Sequence, residues 1–539
     1  MLTLLTFLLY TAIVGAIAYW FTQREQTETP EGFFLGGRSL NGWVIAGSLM
    51  LTNLSTEHLI GLNADAYRHT IAVMAWETTA ALAMVLMALY FLPKYLNQGL
   101  TTIPEFLAQR YDQTTRLIAS LLFLSSYAIA ILPIVLLFGA SGLEELFDVS
   151  ATWGIDSVTA TWLLVWGVGV LGSIYAVVGG LRAVAISDTV NGVGFLIAGL
   201  LIPYLALRSI GSGDMWAGMT EVYEAHPEKF DVTGDEPGSF LPFGVLFTGM
   251  IVNQIFFWCT NQSIVQRALG AKSLAEGQKG VLLAACFKLV GPLIIVLPGV
   301  IAFHLFANQL GPDEAMLAYP RFVKHVLPTA LTGFFAAVMV GAILSTFNSV
   351  LNSTATLFSE GIYQHLLSNS PTDTQKVRAG RISSIVLAVA AMTIAPTIDT
   401  KGSLYEYLQQ INATFFGPML AVILMGMMTR WATALSAKLV LVIGPMVFYS
   451  LVFGWGDQVQ LFLREQFSLN ENVHFLHLLA IVFLLAVAGM TLLSLLRPGK
   501  HVAMPSTGQY VDMTPWRLVN VVSALVVIAT LVCYVYLAA

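Results

Sequence analysis

Charged residues are scarce in this chain of 539 residues, and that scarcity excludes most classes of soluble protein. Asp, Glu, Lys and Arg make up 10% of the sequence, whereas hydrophobic residues make up 57%. A soluble domain carries about 25% charged residues. The composition therefore predicts a polytopic membrane protein that depends on a lipid bilayer. No like-charged run or basic stripe occurs that would indicate nucleic-acid binding.

Cysteine is also rare, and familiar enzyme motifs are missing. The three cysteines, Cys259, Cys286 and Cys533, lie in apolar segments too far apart for a metal site, so we expect them to pack in the core. There is no Walker A motif, no H-E-x-x-H motif and no G-x-S-x-G elbow. These absences favour a protein that is not an enzyme and that binds no organic cofactor.

Apolar runs long enough to cross a bilayer follow one another along the chain. The first run, Leu2 to Phe21, carries no charge and lacks the positive start of a signal peptide, so it predicts a retained spanning helix. Lys and Arg fall mainly on the side opposite the N-terminus, and an even span count then places both termini outside. The sequence predicts about fourteen spans, near residues 2–22, 42–65, 70–93, 117–147, 158–178, 185–207, 241–266, 280–306, 329–360, 381–398, 406–428, 432–454, 473–496 and 517–537.

The largest outside loop, from about Gly211 to Phe240, is acidic and contains glycine and proline. This composition predicts a solvated surface loop with short helical pieces. No separate soluble domain and no low-complexity tract is visible. The chain is predicted to form a single transmembrane domain with five parts: an extra helix and loop (1–41), a first repeat (42–210), the outside loop (211–240), a second repeat (241–430) and peripheral helices (431–539).

One polar stretch, Met50 to Gly61, interrupts the second apolar run. It holds an amide, three hydroxyls, a carboxylate and an imidazole where a lipid-facing helix would hold aliphatic residues. Such groups at membrane depth are costly and face a bundle interior or a water-filled cavity. Transporters place discontinuous helices at such points, where freed backbone carbonyls bind a cation. The stretch therefore predicts the broken helix of a sodium-coupled carrier.

A second interruption, Asn253 to Gln262, puts amides in the middle of another apolar run five spans later. Paired interruptions indicate an inverted repeat with a site between its halves. The long span near 329–360 also holds an oxygen-rich patch, Ala342 to Ser349. Its hydroxyls suit a hard cation such as sodium. The alternative is that they bond to their own helix or pack against neighbouring helices.

Several further polar side chains lie inside predicted spans, and each has two open interpretations. Glu77 either accepts hydrogen bonds from a substrate or forms a structural pair with Lys288, the one lysine within a span. Asp188 is either an interfacial acid balanced by Arg182 or a stop for a departing ion. The aromatic residues beside the polar stretches either pack in the core or stack on a sugar and close a gate: Trp76, Phe256, Phe257 and Trp258.

The chain resembles the solute:sodium symporter family in stretches spread over most of its length. These stretches are Phe34 to Leu40, Thr52 to Glu57, Thr101 to Leu107, Tyr175 to Arg182, Asn261 to Arg267 and Leu351 to Thr356. The resemblance implies an all-α, LeuT-type core of two five-helix inverted repeats. It also implies inward secondary transport driven by sodium, through alternating access.

The resemblance further assigns residues to sites. Sodium would be bound by carbonyls and hydroxyls of Leu51, Leu54, Ala342, Ser345 and Thr346, and a second ion by Asp188, Asn348 and Ser349. Some relatives have two hydroxyls where this chain has Asn348 and Ser349. The sugar site would comprise Asn53, His58, Glu77, Gln254, Lys288 and one of Gln409 or Gln410, with Asn261 nearby.

At two positions of the sugar site and one gate position, the residue differs from the one in the sugar carriers of the family. His58 replaces a glutamine and Gln254 an asparagine, and both still donate and accept hydrogen bonds. Phe257 replaces a gate tyrosine and keeps only its ring. Trp76, Phe257 and Trp258 are the gate candidates.

We therefore expect a sodium-coupled importer of a galactose- or glucose-like monosaccharide in a bacterial inner membrane. Sodium is its coupling ion, and no obligatory protein partner is expected. One alternative is another small solute, such as a sialic acid, a carboxylate or an amino acid. An anion would favour an arginine in the cavity, and Lys288 alone keeps this alternative open. The other alternative is a non-transporting sensor on the same fold, which would be expected to carry an added signalling domain.

Overall fold

The computed structural model describes residues 2–22, 28–234, 239–367, 371–399, 402–498 and 511–538. Within these ranges the chain is helical, and extended pairing is limited to two isolated bridges. The first half contains α1 Leu2–Thr22, α2 Pro30–Leu35, α3 Gly42–Asn53, α4 Asn63–Arg68, α5 Ala75–Leu86, α6 Leu92–Asn97, α7 Ile103–Arg110, α8 Gln113–Ser126, α9 Leu132–Phe147, α10 Val149–Trp153, α11 Ser157–Ile210 and α12 Met215–Ala225.

The second half continues the same all-α architecture, which confirms the predicted fold class. Its helices are α13 Gly249–Cys259, α14 Gln262–Leu269, α15 Leu274–Val290, α16 Pro292–Ile295, α17 Leu297–Phe306, α18 Ala318–Val326, α19 Thr329–Thr356, α20 Asp373–Ile394, α21 Leu404–Met428, α22 Ala434–Tyr449, α23 Gly456–Phe467, α24 Phe475–Leu496 and α25 Val519–Ala538. Wide π-type turns interrupt or extend several helices, at Glu57–Leu62, Met87–Phe91, Tyr127–Ile131, Leu357–Leu367 and Ser450–Gly454.

Ten helical stretches in the described ranges are long and apolar enough to cross a membrane. A bent pair, Leu274–Val290 with Pro292–Phe306, makes an eleventh. Apolar segments in α1 and α13 are shorter, and α3 is interrupted, so none of the three passes the same test. The count of about fourteen spans and the outside position of both termini therefore stay predictions. Met1 and Ala539 themselves lie outside the described residues.

The outer faces of the peripheral helices carry large apolar side chains. On α24, Leu484, Leu485 and Leu492 are each about 60% exposed, and on α25 Val535 is 72% exposed. Contiguous exposed apolar surface of this kind marks contact with a membrane or a partner. Its position around a fully packed helical interior fits a bundle surrounded by lipid.

The predicted break in the second span is present. The Asn41 side chain accepts a hydrogen bond from the Val44 N–H and begins α3, which ends at Asn53. Leu54 then leaves the helical region, with φ −77° and ψ 66°, and the chain resumes as the wide turn Glu57–Leu62 and α4. The chain leaves the helix inside the predicted polar stretch, so the predicted break is confirmed.

The second predicted interruption is also present. Helix α13 ends at Cys259, Thr260 and Asn261 are not helical, and α14 begins at Gln262. The Asn261 side chain caps α14 by accepting from the Ser263 N–H at 3.2 Å. Helix α14 packs against α3 and α19, so both broken segments converge on the long helix that carries the oxygen-rich patch.

Helix α11 combines two predicted spans, 158–178 and 185–207, and bends at Gly180. This residue has φ 62° and ψ −173°, a conformation open to glycine alone. A Cβ atom there would lie 3.0 Å from the Phe33 carbonyl oxygen of α2. The glycine therefore allows both the bend and the close approach of α2.

We expect Gly180→Ala to destabilise the fold by about 1–3 kcal/mol, because the new side chain strains the backbone. Gly167→Ala is the matched control, since it lies in the same helix with nothing within 4 Å of its Cβ position. That control should be neutral or slightly stabilising. Thermal unfolding in detergent compares the two variants, and equal melting temperatures would contradict the assignment.

The outside loop confirms one expectation and corrects another. Short helical pieces are present at α12 and at Pro227–Phe230. Lys229, however, is buried rather than solvated, and its ammonium donates to the carbonyls of Tyr67 (2.7 Å), Arg68 (3.2 Å) and His69 (2.8 Å). The loop thus folds back over the bundle and satisfies the C-terminal carbonyls of α4.

The cysteine expectation is correct for one residue of three. All three thiols are free, and Cys259 is buried, but Cys286 is exposed and Cys533 is half-buried. Helix α15 carries apolar residues on its exposed face as well as on its buried face, so an apolar neighbourhood in the sequence does not identify the core side.

Candidate functional site

A central cavity lies beside the break of α3, between α5, α13, α15 and α21. Most of the predicted sugar-site residues line it together, as do the three gate candidates. The lining residues are Thr52, Asn53, Glu57, His58, Trp76, Glu77, Ile131, Asn253, Gln254, Phe257, Trp258, Ser263, Ile264, Lys288, Thr346, Val350, Tyr405, Leu408, Gln409 and Asn412.

Glu77 and Lys288 form a buried ion pair in this cavity. The Lys288 ammonium donates to both carboxylate oxygens of Glu77, at 2.6 and 2.8 Å, and to Asn53 Oδ1. A Cβ atom on Gly291 would lie 2.9 Å from Glu77 Oε2, so the glycine leaves room for the carboxylate. A buried charge pair needs such geometry and extra hydrogen bonds to offset its desolvation. The pair therefore presents fixed polar atoms at the end of α3.

His58 lies between two carboxylates. Its Nε2 is 3.6 Å from Glu77 Oε1 and its Nδ1 is 3.7 Å from Glu57 Oε1. The Tyr405 hydroxyl lies 3.3 Å from Nε2, and the two rings meet edge to face. Sequence reasoning named His58 but assigned no role to Glu57 or Tyr405. The signal in the sequence that could have identified Glu57 is its position within the polar stretch Met50 to Gly61.

Gln254 joins α13 to α5. Its amide donates to the Trp76 carbonyl at 2.7 Å and to the Thr79 hydroxyl at 3.2 Å. The Trp76 ring meets Tyr405 edge to face, and the Lys288 ammonium lies 5.2 Å from the centre of the Trp258 ring. Aromatic faces and amide groups therefore surround the ion pair, and such a mixture of apolar and polar groups is typical of small-molecule binding sites.

Two predicted site residues lie elsewhere. Gln409 lines the central cavity, but Gln410 lines a separate cavity and donates to Glu406 at 3.0 Å. Asn261 lies behind the cavity wall, where its Oδ1 accepts from the Tyr127 hydroxyl at 2.7 Å and from Ser263. The structure thus separates the glutamine pair, and Asn261 fixes the start of α14.

The predicted sodium ligands meet where α3 ends against α19. The Thr346 hydroxyl donates to the Thr52 carbonyl at 2.7 Å, across the two helices. The buried hydroxyl of Ser55 finds no hydrogen-bond partner among the described residues, and the buried hydroxyl of Ser345 lies beside the Asp188 carboxylate. Leu51 and Leu54 lie on either side of Thr52 and Asn53, and it is the Thr52 carbonyl that accepts the bond from Thr346. Ala342 lies one turn before Thr346. Unsatisfied oxygens beside a helix break are the donor set that a hard cation takes.

The residues predicted for a second ion lie on two helices, Asp188 on α11 and Asn348 and Ser349 on α19. Asp188 accepts from the Ser48 hydroxyl at 2.7 Å, and Ser349 lies 3.0 Å from the Thr52 hydroxyl. The fully buried Arg267 donates to the Ser349 hydroxyl and interacts electrostatically with Asp188. Asn348 Oδ1 has no partner within the described part of the chain. A protein cation therefore already lies beside this position.

The sequence model of the Sodium:solute symporter family matches residues 33–444 of the chain. The chain belongs to the sodium:solute symporter family. This confirms the resemblance, together with sodium-coupled symport as the mode of action and Na+ as the coupling ion. The family consists of transporters, which fits the expectation that the protein is not an enzyme.

Curated relatives from two bacteria extend the match. The uncharacterised symporter YidK of Escherichia coli K12 is 41% identical over 538 residues, covering 100% of this chain and 91% of its own length. The sodium/glucose cotransporter of Vibrio parahaemolyticus is 30% identical over 455 residues, covering 80% of this symporter and 82% of its own length.

A solved structure shows the same fold. A Na+-coupled sialic acid symporter, captured in a substrate-bound outward-open state, aligns with a TM-score of 0.74 at 20% identity. The alignment covers 94% of this symporter and 99% of the other chain. It confirms the LeuT-type fold predicted for the chain, and at this identity it carries no information about the substrate.

Proposed function

We propose that this symporter imports an uncharged, monosaccharide-like solute with sodium across a bacterial inner membrane. The observation that carries the proposal is the cavity in which the Lys288 ammonium donates to both Glu77 and Asn53 among amides and aromatic rings. Sugar hydroxyls both donate and accept, so they suit such a set of fixed partners. The 30% identity to a sodium/glucose cotransporter supports the same solute class.

Sodium and solute are coupled through one short segment. Asn53 is the last residue of α3, and the proposed sodium ligands Leu51 and Leu54 flank it. An ion held by those carbonyls and by Ser345 and Thr346 therefore fixes the segment from which Asn53 reaches Lys288. Loss of the ion to the cytoplasm releases that segment, and the cavity then loses one of its walls. Because the wall of the cavity depends on bound sodium, the binding and release of the ion would shift the protein between its two open states, which is alternating access.

An acidic solute is the weaker candidate. No arginine lines the central cavity in the described ranges, and Lys288 is already bonded to Glu77 and Asn53. A carboxylate on the solute would therefore enter without a free cation to receive it.

The proposal is tested with the purified full chain in a thermal-shift screen of hexoses and inositols, with and without sodium. We expect stabilisation by at least one uncharged solute, and only when sodium is present. The best solute is then used for uptake into proteoliposomes with an imposed sodium gradient. Stabilisation by acidic sugars alone, or uptake that ignores the gradient, would refute the proposal.

We expect Thr346→Ala to raise the sodium concentration for half-maximal uptake about tenfold, because the ion loses one hydroxyl ligand. Thr346→Ser keeps that hydroxyl and is expected to behave nearly as the parent protein. Thr332→Ala is a second control, because its hydroxyl bonds to the carbonyls of Leu327 and Pro328, just before the start of α19. An unchanged sodium requirement in Thr346→Ala would remove this residue from the ion site.

A further inference from the structure

Glu57 is a buried carboxylate that opens directly onto the central cavity. It begins the wide turn after the break of α3, and it is only 5% exposed. Its Oε2 has no hydrogen-bond partner among the described residues, and its Oε1 lies 3.7 Å from His58 Nδ1. A buried carboxylate without donors is costly. A donor for this oxygen must therefore come from the cavity itself.

Other described lining atoms also lack a hydrogen-bond partner. Asn253 Oδ1 and His58 Nδ1 also have no hydrogen-bond partner within the described ranges. Carboxylate and amide oxygens only accept hydrogen bonds. Free acceptors of this kind, distributed over two walls of one cavity, favour a ligand that presents hydroxyl or amine hydrogens.

The charges of the lining residues favour the same ligand. Two carboxylates, Glu57 and Glu77, line the cavity, and Lys288 bonds to both oxygens of Glu77. The Glu57 carboxylate therefore has no lysine or arginine of its own in the described lining. A solute carboxylate placed beside it would add a second unbalanced negative charge in a dry site.

We propose that Glu57 is a further substrate-binding residue, which accepts hydrogen bonds from hydroxyl or amine groups of the solute and excludes solutes that carry a carboxylate. The inference rests on the proposed function and deepens it, because it separates neutral and aminated sugars from sugar acids. His58, held between Glu57 and Glu77, keeps the two carboxylates apart and orients them toward the solute.

The test uses sugars that share one ring and differ in one substituent. Purified full chain in sodium is titrated with D-galactose, D-galactosamine and D-galacturonate, and with the three matching glucose compounds, by calorimetry. The variants are Glu57→Gln, which removes the charge at constant shape, and Glu57→Asp, which keeps it. Glu465→Gln, on the exposed face of α23, is the matched control.

The parent protein is expected to bind a hexose or hexosamine and to reject both uronates. Glu57→Gln should weaken that binding at least about tenfold and reduce the discrimination against the uronate. Glu57→Asp should retain the discrimination, and Glu465→Gln should change nothing. A sodium-dependent rise in melting temperature in each variant verifies that the ion site has folded.

Two outcomes overturn the inference. One is a Glu57→Gln variant that binds hexose as the parent does and still rejects uronate. The other is a parent protein that binds uronate as well as hexose. If neither these six sugars nor any other hexose or inositol of the screen binds to the parent in sodium, both the inference and the proposed function fail. Sodium-dependent hexose binding that ignores Glu57 refutes the inference alone.

Discussion

Glu77→Ala is expected to abolish sodium-driven uptake and to cost about 3–5 kcal/mol of stability, because it leaves the Lys288 ammonium buried without its carboxylate. The same substitution removes the acceptor that positions the lysine beside Asn53. Uptake into proteoliposomes and thermal unfolding in detergent measure the two effects separately. Glu145→Ala is the control, since its pair with Arg321 is partly exposed and is worth about 1 kcal/mol or less.

The double variant Glu77→Gln with Lys288→Met separates folding from function. Replacing both charges removes the unpaired ion, so most of the stability should return. Uptake should not return, because the cavity has lost both of its fixed charges. Uptake near the parent rate in Glu77→Ala, or in the double variant, would show that the pair is structural and that the solute binds elsewhere.

Lys229→Met is expected to lower the melting temperature by several degrees. The ammonium satisfies three carbonyls at the end of α4, and it lies 3.9 Å from the centre of the Phe303 ring. Each buried carbonyl left without a donor costs about 1–3 kcal/mol, although such costs do not add fully. Lys272→Met, at a half-exposed lysine, is the control and should have little effect.

The same lysine predicts a pH dependence with a definite sign. Burial lowers the pKa of Lys229 to about 8 from its ordinary value of 10.5. Between those two values the unfolded chain binds a proton that the folded chain has released, so the stability from this group rises with pH. The difference in melting temperature between parent and Lys229→Met should therefore widen from pH 8 to pH 10. A constant or shrinking difference would contradict the assignment.

The broken helix could be predicted from the sequence because the signal is local. Six polar side chains between Thr52 and His58 replace the aliphatic residues that a spanning helix needs, and no distant contact is required to detect them. The same holds for the amides around Asn261 and for the isolated Lys288. In each case an expensive polar group inside an apolar run marked a break in a helix or a buried ion pair.

Residues that depend on orientation or on distant packing could not be assigned in this way. Gln409 and Gln410 are neighbours in the sequence, and successive residues on a helix point about 100° apart, so only the structure separates them. Lys229 stands in an acidic loop, where composition indicates solvation, and its burial results from the loop folding over α4. Glu57 could not be singled out, because it is one of several polar residues in a row. The sequence does not show which of them face the cavity.

The wide turns within the spans have a consequence for how these helices can move. A π-type turn such as Met87–Phe91 or Tyr127–Ile131 contains one residue more than an α-turn. If that extra residue shifts along the helix, the segment it passes rotates by about 100° and advances by about 1.5 Å. Side chains can then exchange neighbours while the helix on either side of the turn stays intact. The result is a screw-like motion, which differs from rotation about a hinge.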